Sequence, residues 1–264
     1  MFSIYWKDIS FKYEDSNENI LENICLTFNS KSKIGLIGRN GCGKTTLFKL
    51  ILGFEKTYDS QFKSIEKLRK GYLPQELKIE GGISLEKYVW SLNPPLQEAK
   101  TKISEHYNGS RLLDNVPFTE ALSQFDNLNG YNFEVKLGKI LDKFEMGRID
   151  LSRKIGTLSG GEKTKLAMVR ILMDEPDILF FDEPTNHLDI SQLKWLERFL
   201  TDTNIPYITI SHDRKFLDKT VTTIWEIEDK ELRAYSGNYS FYKYEKETEF
   251  NQKMHEFESQ QKKI

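Results

Sequence analysis

Cysteine is nearly absent: 2 of 264 residues. Cys25 lies in an apolar, strand-like run and Cys42 in a glycine-rich loop. That usage excludes a disulfide framework and points to a reducing compartment. No zinc-ligand spacing is present either. Long apolar runs are missing, none nearing the ~18 residues that suggest a bilayer-spanning helix. The opening Met1-Phe2-Ser3-Ile4-Tyr5-Trp6-Lys7 has no apolar signal core. A cytoplasmic protein without membrane insertion is therefore expected. An excess of either charge is lacking as well, with 38 Lys+Arg against 40 Asp+Glu and a net charge of −2. The whole molecule is thus not a basic nucleic-acid binder. DNA is not an expected partner, and RNA contact needs a local patch.

What is present begins with length. A chain of 264 residues can bury a sizeable core as one large domain, or a domain plus an appendage. Its most informative stretch is Gly38-Arg39-Asn40-Gly41-Cys42-Gly43-Lys44-Thr45-Thr46. An apolar strand candidate, Lys33–Ile37, precedes it, and a helical pattern, Thr46–Leu52, follows. Strand, glycine-rich turn, Lys-Thr and helix form the context of a phosphate-binding loop. Glycines let the backbone approach a phosphate closely, and the helix N-terminus adds its positive end. In such a loop Lys44 reaches the β- and γ-phosphates of ATP, and the Thr45 hydroxyl is placed to ligate Mg²⁺.

The rest of the chain supplies possible partners for that loop. Residues 1–35 alternate apolar and polar in short runs and read as an antiparallel strand layer. Tyr13 ends one of these strands; it reads either as an ordinary aromatic or as a platform for adenine. Residues 54–73 read as polar and strand-like, and Gln75 just beyond them suits a metal or water contact. Residues 76–150 are helical, punctuated by Asn93-Pro94-Pro95 and Asn108-Gly109-Ser110. Phe133, Leu137, Ile140, Leu141 and Phe144 recur at three and four, which predicts an amphipathic helix over 132–145.

Leu158-Ser159-Gly160-Gly161-Glu162 opens the next helical pattern. It is either a second anion cradle at a helix N-terminus or a serine N-cap with a flexible lead-in. Asp177–Phe181 is a buried-strand pattern ending in Asp182-Glu183. Two adjacent carboxylates at a strand end can divide labour, Asp182 holding Mg²⁺ and Glu183 orienting and deprotonating water. Pro184–Asp189 leads into a helix over 190–202. The strand Pro206–Ser211 ends at His212, on the same predicted sheet edge as Glu183. Two more strands, Val221–Glu228 and Glu231–Tyr235, precede Gly237-Asn238-Tyr239-Ser240-Phe241-Tyr242. The tail 243–264 carries 5 Lys and 5 Glu, with Phe250, Met254 and Phe257 at helical spacing. It reads as a charged amphipathic helix that expects a partner.

Tyr13, the Gly38–Thr46 loop, Gln75, Leu158–Glu162, Phe181-Asp182-Glu183, Asp189 and His212 follow the order of the A-loop, Walker A, Q-loop, signature, Walker B, D-loop and H-loop of ATP-binding cassette proteins. The chain resembles that superfamily over about residues 1–236. Asp182-Glu183-Pro184-Thr185-Asn186-His187-Leu188-Asp189, and Gly237-Asn238-Tyr239-Ser240 before a charged helix, are similar to the wording of its F class (ABC-F).

The resemblance implies an α/β P-loop NTPase fold: a mixed sheet core, an antiparallel β subdomain, an α-helical lobe at 76–157 and a linker helix from 237. It implies an ATPase using ATP and Mg²⁺. The Gly38–Thr46 loop, Tyr13 and Gln75 would bind the nucleotide. Thr45, Gln75 and Asp182 would hold the metal, and Lys44, Glu183 and His212 would act in catalysis. Ser159, Gly160, Gly161 and Glu162 would serve a nucleotide on a second cassette, from a missing C-terminal half or another copy. ABC-F proteins have two cassettes and no membrane domain. They act on the ribosome, with its rRNA and tRNA, as translation factors or in antibiotic resistance by ribosome protection. Each motif occurs once here, so the N-terminal half of a longer protein is expected. The alternative is the nucleotide-binding subunit of a membrane transporter.

Overall fold

The computed structural model describes residues 2–55, 63–107, 116–186 and 188–261. The Asn108-Gly109-Ser110 punctuation, His187 and the side chain of Phe257 lie outside the described residues. The chain divides into two compact units, one of Met1–Gln75 with Pro176–Ile264 and the other of Glu76–Glu175.

The first unit begins with the antiparallel pair β1 (Ser3–Phe11) and β2 (Leu21–Asn29), Ser3 opposite Asn29 and Phe11 opposite Leu21. A period of two buries Ile4 and Trp6 on β1 and Ile24, Leu26 and Phe28 on β2, with Leu21 buried three residues before Ile24. The register shifts on both sides of Ile9, and Asp8 nearby takes a positive φ of 55°. Strand β3 (Lys33–Gly38) then delivers the glycine-rich loop to helix α1 (Lys44–Leu52), which stops at Gly53. A short helix α2 (Lys63–Glu66) precedes strand β4 (Lys70–Leu73). The stretch expected to be strand-like throughout therefore includes a helical turn.

The second unit is helical among its described residues: α3 (Leu85–Trp90), α4 (Pro94–Tyr107), α5 (Val116–Asn127), α6 (Gly130–Lys143) and α7 (Gly160–Met173). Ser84 caps α3 by accepting from the Lys87 N–H at 3.1 Å. Asn93 accepts from the Leu96 N–H at 3.2 Å, with Pro94 opening α4 as a helix start favours. Trp90, Leu96, Ala99 and Phe125 form a core of their own. The helix predicted over 132–145 is α6, which buries Leu137 and Leu141. Because this unit runs to Glu175, it carries α7 and the Ser159–Glu162 motif.

The chain then returns to the first unit through β5 (Ile178–Asp182), α8 (Ile190–Asp202), β6 (Tyr207–Ile210), α9 (Arg214–Thr220), β7 (Thr223–Glu228), β8 (Glu231–Ser236) and α10 (Tyr239–Gln261). Helix α9, like α2, is an element the sequence pattern does not reveal. Among the described residues, six strands make one sheet in the order β4-β5-β6-β3-β7-β8. Its pairs are parallel from β4 to β7, and β8 closes it antiparallel. Strands β5 and β6 are buried at every position, as parallel strands covered on both faces must be. The β7–β8 hairpin turns on Asp229 and Lys230, both at positive φ (50° and 70°), as a two-residue hairpin loop requires.

Apolar side chains of β1 and β2 pack with Leu47, Phe48, Leu50 and Ile51 of α1 and with Ile34, Leu36, Phe180, Ile208 and Trp225 of the large sheet. Phe48 meets Phe180 edge to face at 5.5 Å. This packing fixes α1 against the sheet. Parallel pairing then brings the ends of β3, β5 and β6 to one edge, where open α/β sheets bind ligands.

Candidate functional site

The loop between β3 and α1 is shaped by close contacts as much as by glycine content. Gly38 has φ +150°, and a Cβ there would lie 2.5 Å from the Ile227 carbonyl oxygen and 2.6 Å from Cys42 Sγ. Gly43 caps α1 at φ +105°, with Leu21 only 2.9 Å from where its Cβ would sit. No other residue fits either position without movement. Within the turn, the Lys44 ammonium donates to the carbonyls of Gly38 at 2.8 Å and Arg39 at 2.9 Å. Lys44 is 8% exposed, so its charge is held inside the loop rather than in solvent.

A cavity of about 450 Å³ opens beside the loop. Asn40, Gly41, Gly43, Lys44, Thr45 and Thr46 form one side of it. Gln75, beyond the end of β4, Asp182 and Glu183 at the end of β5, and His212 after β6 complete the lining. The residues singled out from four separate stretches of sequence therefore converge on one space. Tyr13 joins through its hydroxyl, 3.3 Å from Thr46 Oγ1, while Phe11 meets its ring edge to face at 5.1 Å. Gly38, Arg39 and Cys42 face a neighbouring cavity instead, and Asn40 and His212 line both.

Glu183 is the most constrained member. Its φ of 50° is left-handed, a conformation that non-glycine residues hold only where surroundings impose it. Its N–H donates to the Ile210 carbonyl at 2.9 Å, tying β5 to β6. Of its carboxylate oxygens, Oε2 accepts from the His212 backbone N–H at 3.3 Å. Oε1 lies 3.3 Å from His212 Nε2 but is buried with no hydrogen-bond partner. The distance is that of an ion pair, without the alignment of a hydrogen bond. A buried carboxylate oxygen without a donor invites a water or a ligand hydroxyl.

Asp182 is buried alongside. Burial raises its carboxyl pKa above the ordinary value, and the nearby Tyr72 hydroxyl and Lys44 ammonium offset this only in part. The Tyr72 contact is long, at 3.5 Å, and burial together with the Asp182 charge pushes the tyrosine up to about 12. The pocket thus holds more negative demand than its own donors satisfy, which fits a bound cation. No cluster of three or more His, Cys, Asp or Glu among the described residues could hold a metal alone. A cation here would draw on the Thr45 hydroxyl, Asp182 and Gln75 together with ligand oxygens.

Two other expected elements cap helices. Ser159 begins α7 in a capping box: its hydroxyl accepts from the Glu162 N–H at 3.2 Å, and its own N–H donates to Glu162 Oε2 at 2.8 Å. That backbone bond holds the Glu162 carboxyl below its usual range. Gly160 and Gly161 form the first turn of α7. Asp189 caps α8, accepting from the Gln192 N–H at 2.9 Å and the Ser191 hydroxyl at 2.7 Å. Asn186 also lines the cavity, and the sequence signal for it is only its position three residues beyond Glu183.

With this geometry in hand, the likenesses to known proteins are informative. A family model described as ABC transporter matches residues 21–186, and a second of the same description matches 225–264. Solved structures share the fold. A nucleotide-free ATP-binding cassette from an ABC transporter superposes with a TM-score of 0.65, at 17% identity over 89% of this chain and 92% of that one. An ATP-binding subunit of an ABC transporter gives 0.63, at 18% identity over 89% and 90%. The energy-dependent translational throttle protein EttA of Haemophilus influenzae is 34% identical over 254 residues, 93% of this chain and 45% of that protein. ABC transporter F family member 5 of Arabidopsis thaliana is 31% identical over 257 residues, 93% of this chain and 37% of that protein.

The fold and the site define an ATP-binding cassette, a P-loop α/β domain of mixed sheet and helical lobe. The chain belongs to the ATP-binding cassette family and, by its relatives, to the F class. It spans less than half the length of these curated relatives. No helix among the described residues is long and apolar enough to cross a membrane.

Proposed function

We propose that this chain is the ATP-hydrolysing cassette of a translation factor that acts on the ribosome. The observation that carries the catalytic part is the shared cavity, where Lys44, the buried Asp182 and Glu183, whose Oε1 accepts no hydrogen bond, line one space. In this reading the loop amides and Lys44 grip the β- and γ-phosphates of ATP, and the Tyr13 ring supports adenine. Thr45, Asp182 and Gln75 would hold Mg²⁺, which when bound neutralises charge on the phosphate oxygens. Glu183 Oε1 accepts a proton from a water as its oxygen bonds to the γ-phosphorus and the bond to the bridging oxygen breaks. His212 donates to a γ-phosphate oxygen. ADP and phosphate leave, and the proton passes from Glu183 to solvent.

The same reading gives Ser159, Gly160 and Gly161 to a nucleotide held by a second cassette, so that two ATP molecules close a clamp and hydrolysis opens it. Asp189 belongs to that shared interface. Residues 1–236 form the cassette, with 76–157 as its helical lobe, and 237–264 begin a linker toward the ribosome. Two matters support translation as the setting: the relatives are named for translational throttling and for the F family, and the chain continues past the sheet into the charged helix α10. The first favours it over a resistance role, and the second over a transporter subunit.

ATP titration by calorimetry tests the grip. The chain should bind ATP with Mg²⁺, and Lys44→Ala should bind at least ~10-fold more weakly, the scale of losing a charge-assisted hydrogen bond. Equal affinity in the variant would refute this assignment of Lys44.

A further inference from the structure

Outside the candidate site, a polar cluster in the first unit gathers around one buried carboxylate. Glu226 on β7 is 7% exposed. Its Oε1 accepts from the Tyr242 hydroxyl at 2.6 Å. Its Oε2 pairs with the Lys246 ammonium at 2.8 Å and lies 3.4 Å from the Tyr235 hydroxyl. Lys246 also bridges to Glu228 at 2.7 Å. Tyr242 and Lys246 are one turn apart on α10, whereas Tyr235 belongs to β8, so one carboxylate joins two strands and the exit helix. Tyr235 and Tyr242 meet edge to face at 5.0 Å. The helix start is also pinned to α9, where Asp218 accepts from the Ser240 N–H at 2.7 Å.

The position of this cluster makes it more than a fastening. In the sheet register Glu226 stands opposite Ile37, and Ile227 opposite Gly38. The tight approach of Gly38 to the Ile227 carbonyl therefore lies one residue from Glu226. A second cavity, of about 720 Å³, is lined by Glu226, Tyr239 and Tyr242 together with Arg39, Asn40 and His212. Asn40 and His212 also line the candidate nucleotide site. Whatever moves the loop or His212 changes the space against which α10 is held.

We propose that Glu226 is a positioning residue that clamps α10 to β7 and β8 beside the phosphate-binding loop, so that the direction of the exit helix responds to the nucleotide. The clamp stands on the contacts alone; its response to nucleotide rests on the ATP reading above. Glu226 touches neither nucleotide nor reacting atoms in this account. Its role is to hold Tyr242 and Lys246, which in turn hold the first two turns of α10.

Amide hydrogen exchange across residues 239–248, on the 264-residue chain with and without the non-hydrolysable analogue AMP-PNP and Mg²⁺, tests this. Without nucleotide, Glu226→Gln should speed exchange there by at least ~10-fold, the scale of losing hydrogen bonds to a charged group. Tyr242→Phe, which removes one hydroxyl and no charge, should speed it less, and it reads the clamp should Glu226→Gln fail to fold. AMP-PNP should alter exchange of this segment in the unmodified chain and leave it unaltered in Glu226→Gln, while analogue affinity by calorimetry stays within ~2-fold. Unchanged exchange in both variants would overturn the clamp. A nucleotide response that persists in Glu226→Gln, or is absent from an unmodified chain shown to bind the analogue, would overturn the coupling. Failure of the unmodified chain to bind AMP-PNP would overturn the ATP reading and the coupling together, while the nucleotide-free comparison still decides the clamp.

Discussion

The backbone N–H of His212 donates to one carboxylate oxygen of Glu183 while the imidazole of the same residue lies 3.3 Å from the other. The histidine thereby fixes where the carboxylate points. His212 itself is 60% exposed at its side chain, against 9% for Glu183, so it reaches from solvent toward a buried acid. His212→Ala keeps the backbone bond and removes only the imidazole. Steady-state ATPase assays should show a loss of roughly 10²-fold in turnover, the scale of removing one transition-state donor, with ATP affinity changed far less. A loss confined to affinity would assign His212 to binding rather than to chemistry.

Gly38 makes a second prediction. An alanine there would place its Cβ against the Ile227 carbonyl oxygen and Cys42 Sγ, at a φ that side chains rarely adopt. Gly38→Ala should destabilise the chain by about 1–3 kcal/mol and weaken ATP binding, because the loop must shift. Thermal unfolding with and without ATP reads both effects. A variant of unchanged stability and affinity would show the loop to be more pliable than its packing indicates.

The exit helix should loosen in acid. The Lys246 ammonium holds the Glu228 carboxyl below its ordinary pKa, with burial opposing. A depressed carboxyl contributes stability that is present above its unfolded pKa, about 4.5, and lost as pH falls through the folded one. For Lys246, burial alone would lower the pKa, but its bonds to Glu226 and Glu228 outweigh that and raise it. A raised ammonium contributes stability that is fully present below about 10.5 and lost only as pH climbs through its folded pKa. Spin-label distances between β8 and α10 should therefore hold steady from about pH 5 to 10 and broaden below about 4.5. Broadening between pH 6 and 9 would contradict the pairing.

Much of this arrangement is legible in the sequence alone. The loop, the Asp182-Glu183 strand end and His212 are linear signals, because phosphate binding and strand-end carboxylates demand particular residues in fixed order. Parallel pairing then does what order alone cannot, registering Asp182 with Ile210 and so carrying Glu183 to His212. Helix α9 is not legible because it is seven residues long, too short for a period to show, although Asp213 before it caps the N–H groups of Lys215 and Phe216. The strand-like reading of 54–73 failed at α2 for the same reason. The Ser159–Glu162 motif was legible as both a cradle and a cap; its hydroxyl serves the cap in this chain. The Glu226 cluster is not legible in the sequence, since Tyr235, Tyr242 and Lys246 lie 9, 16 and 20 positions beyond Glu226 and only the hairpin and the exit helix bring them together.

The central claim is that one cavity holds both the grip on the triphosphate and the base that activates water. Glu183→Gln tests it most directly, because the amide keeps the size and one oxygen but cannot take the proton. Parallel measurement of ATP affinity and single-turnover hydrolysis should give near-normal binding and a rate lower by roughly 10²–10⁴-fold. Hydrolysis at the unmodified rate in that variant would contradict the account.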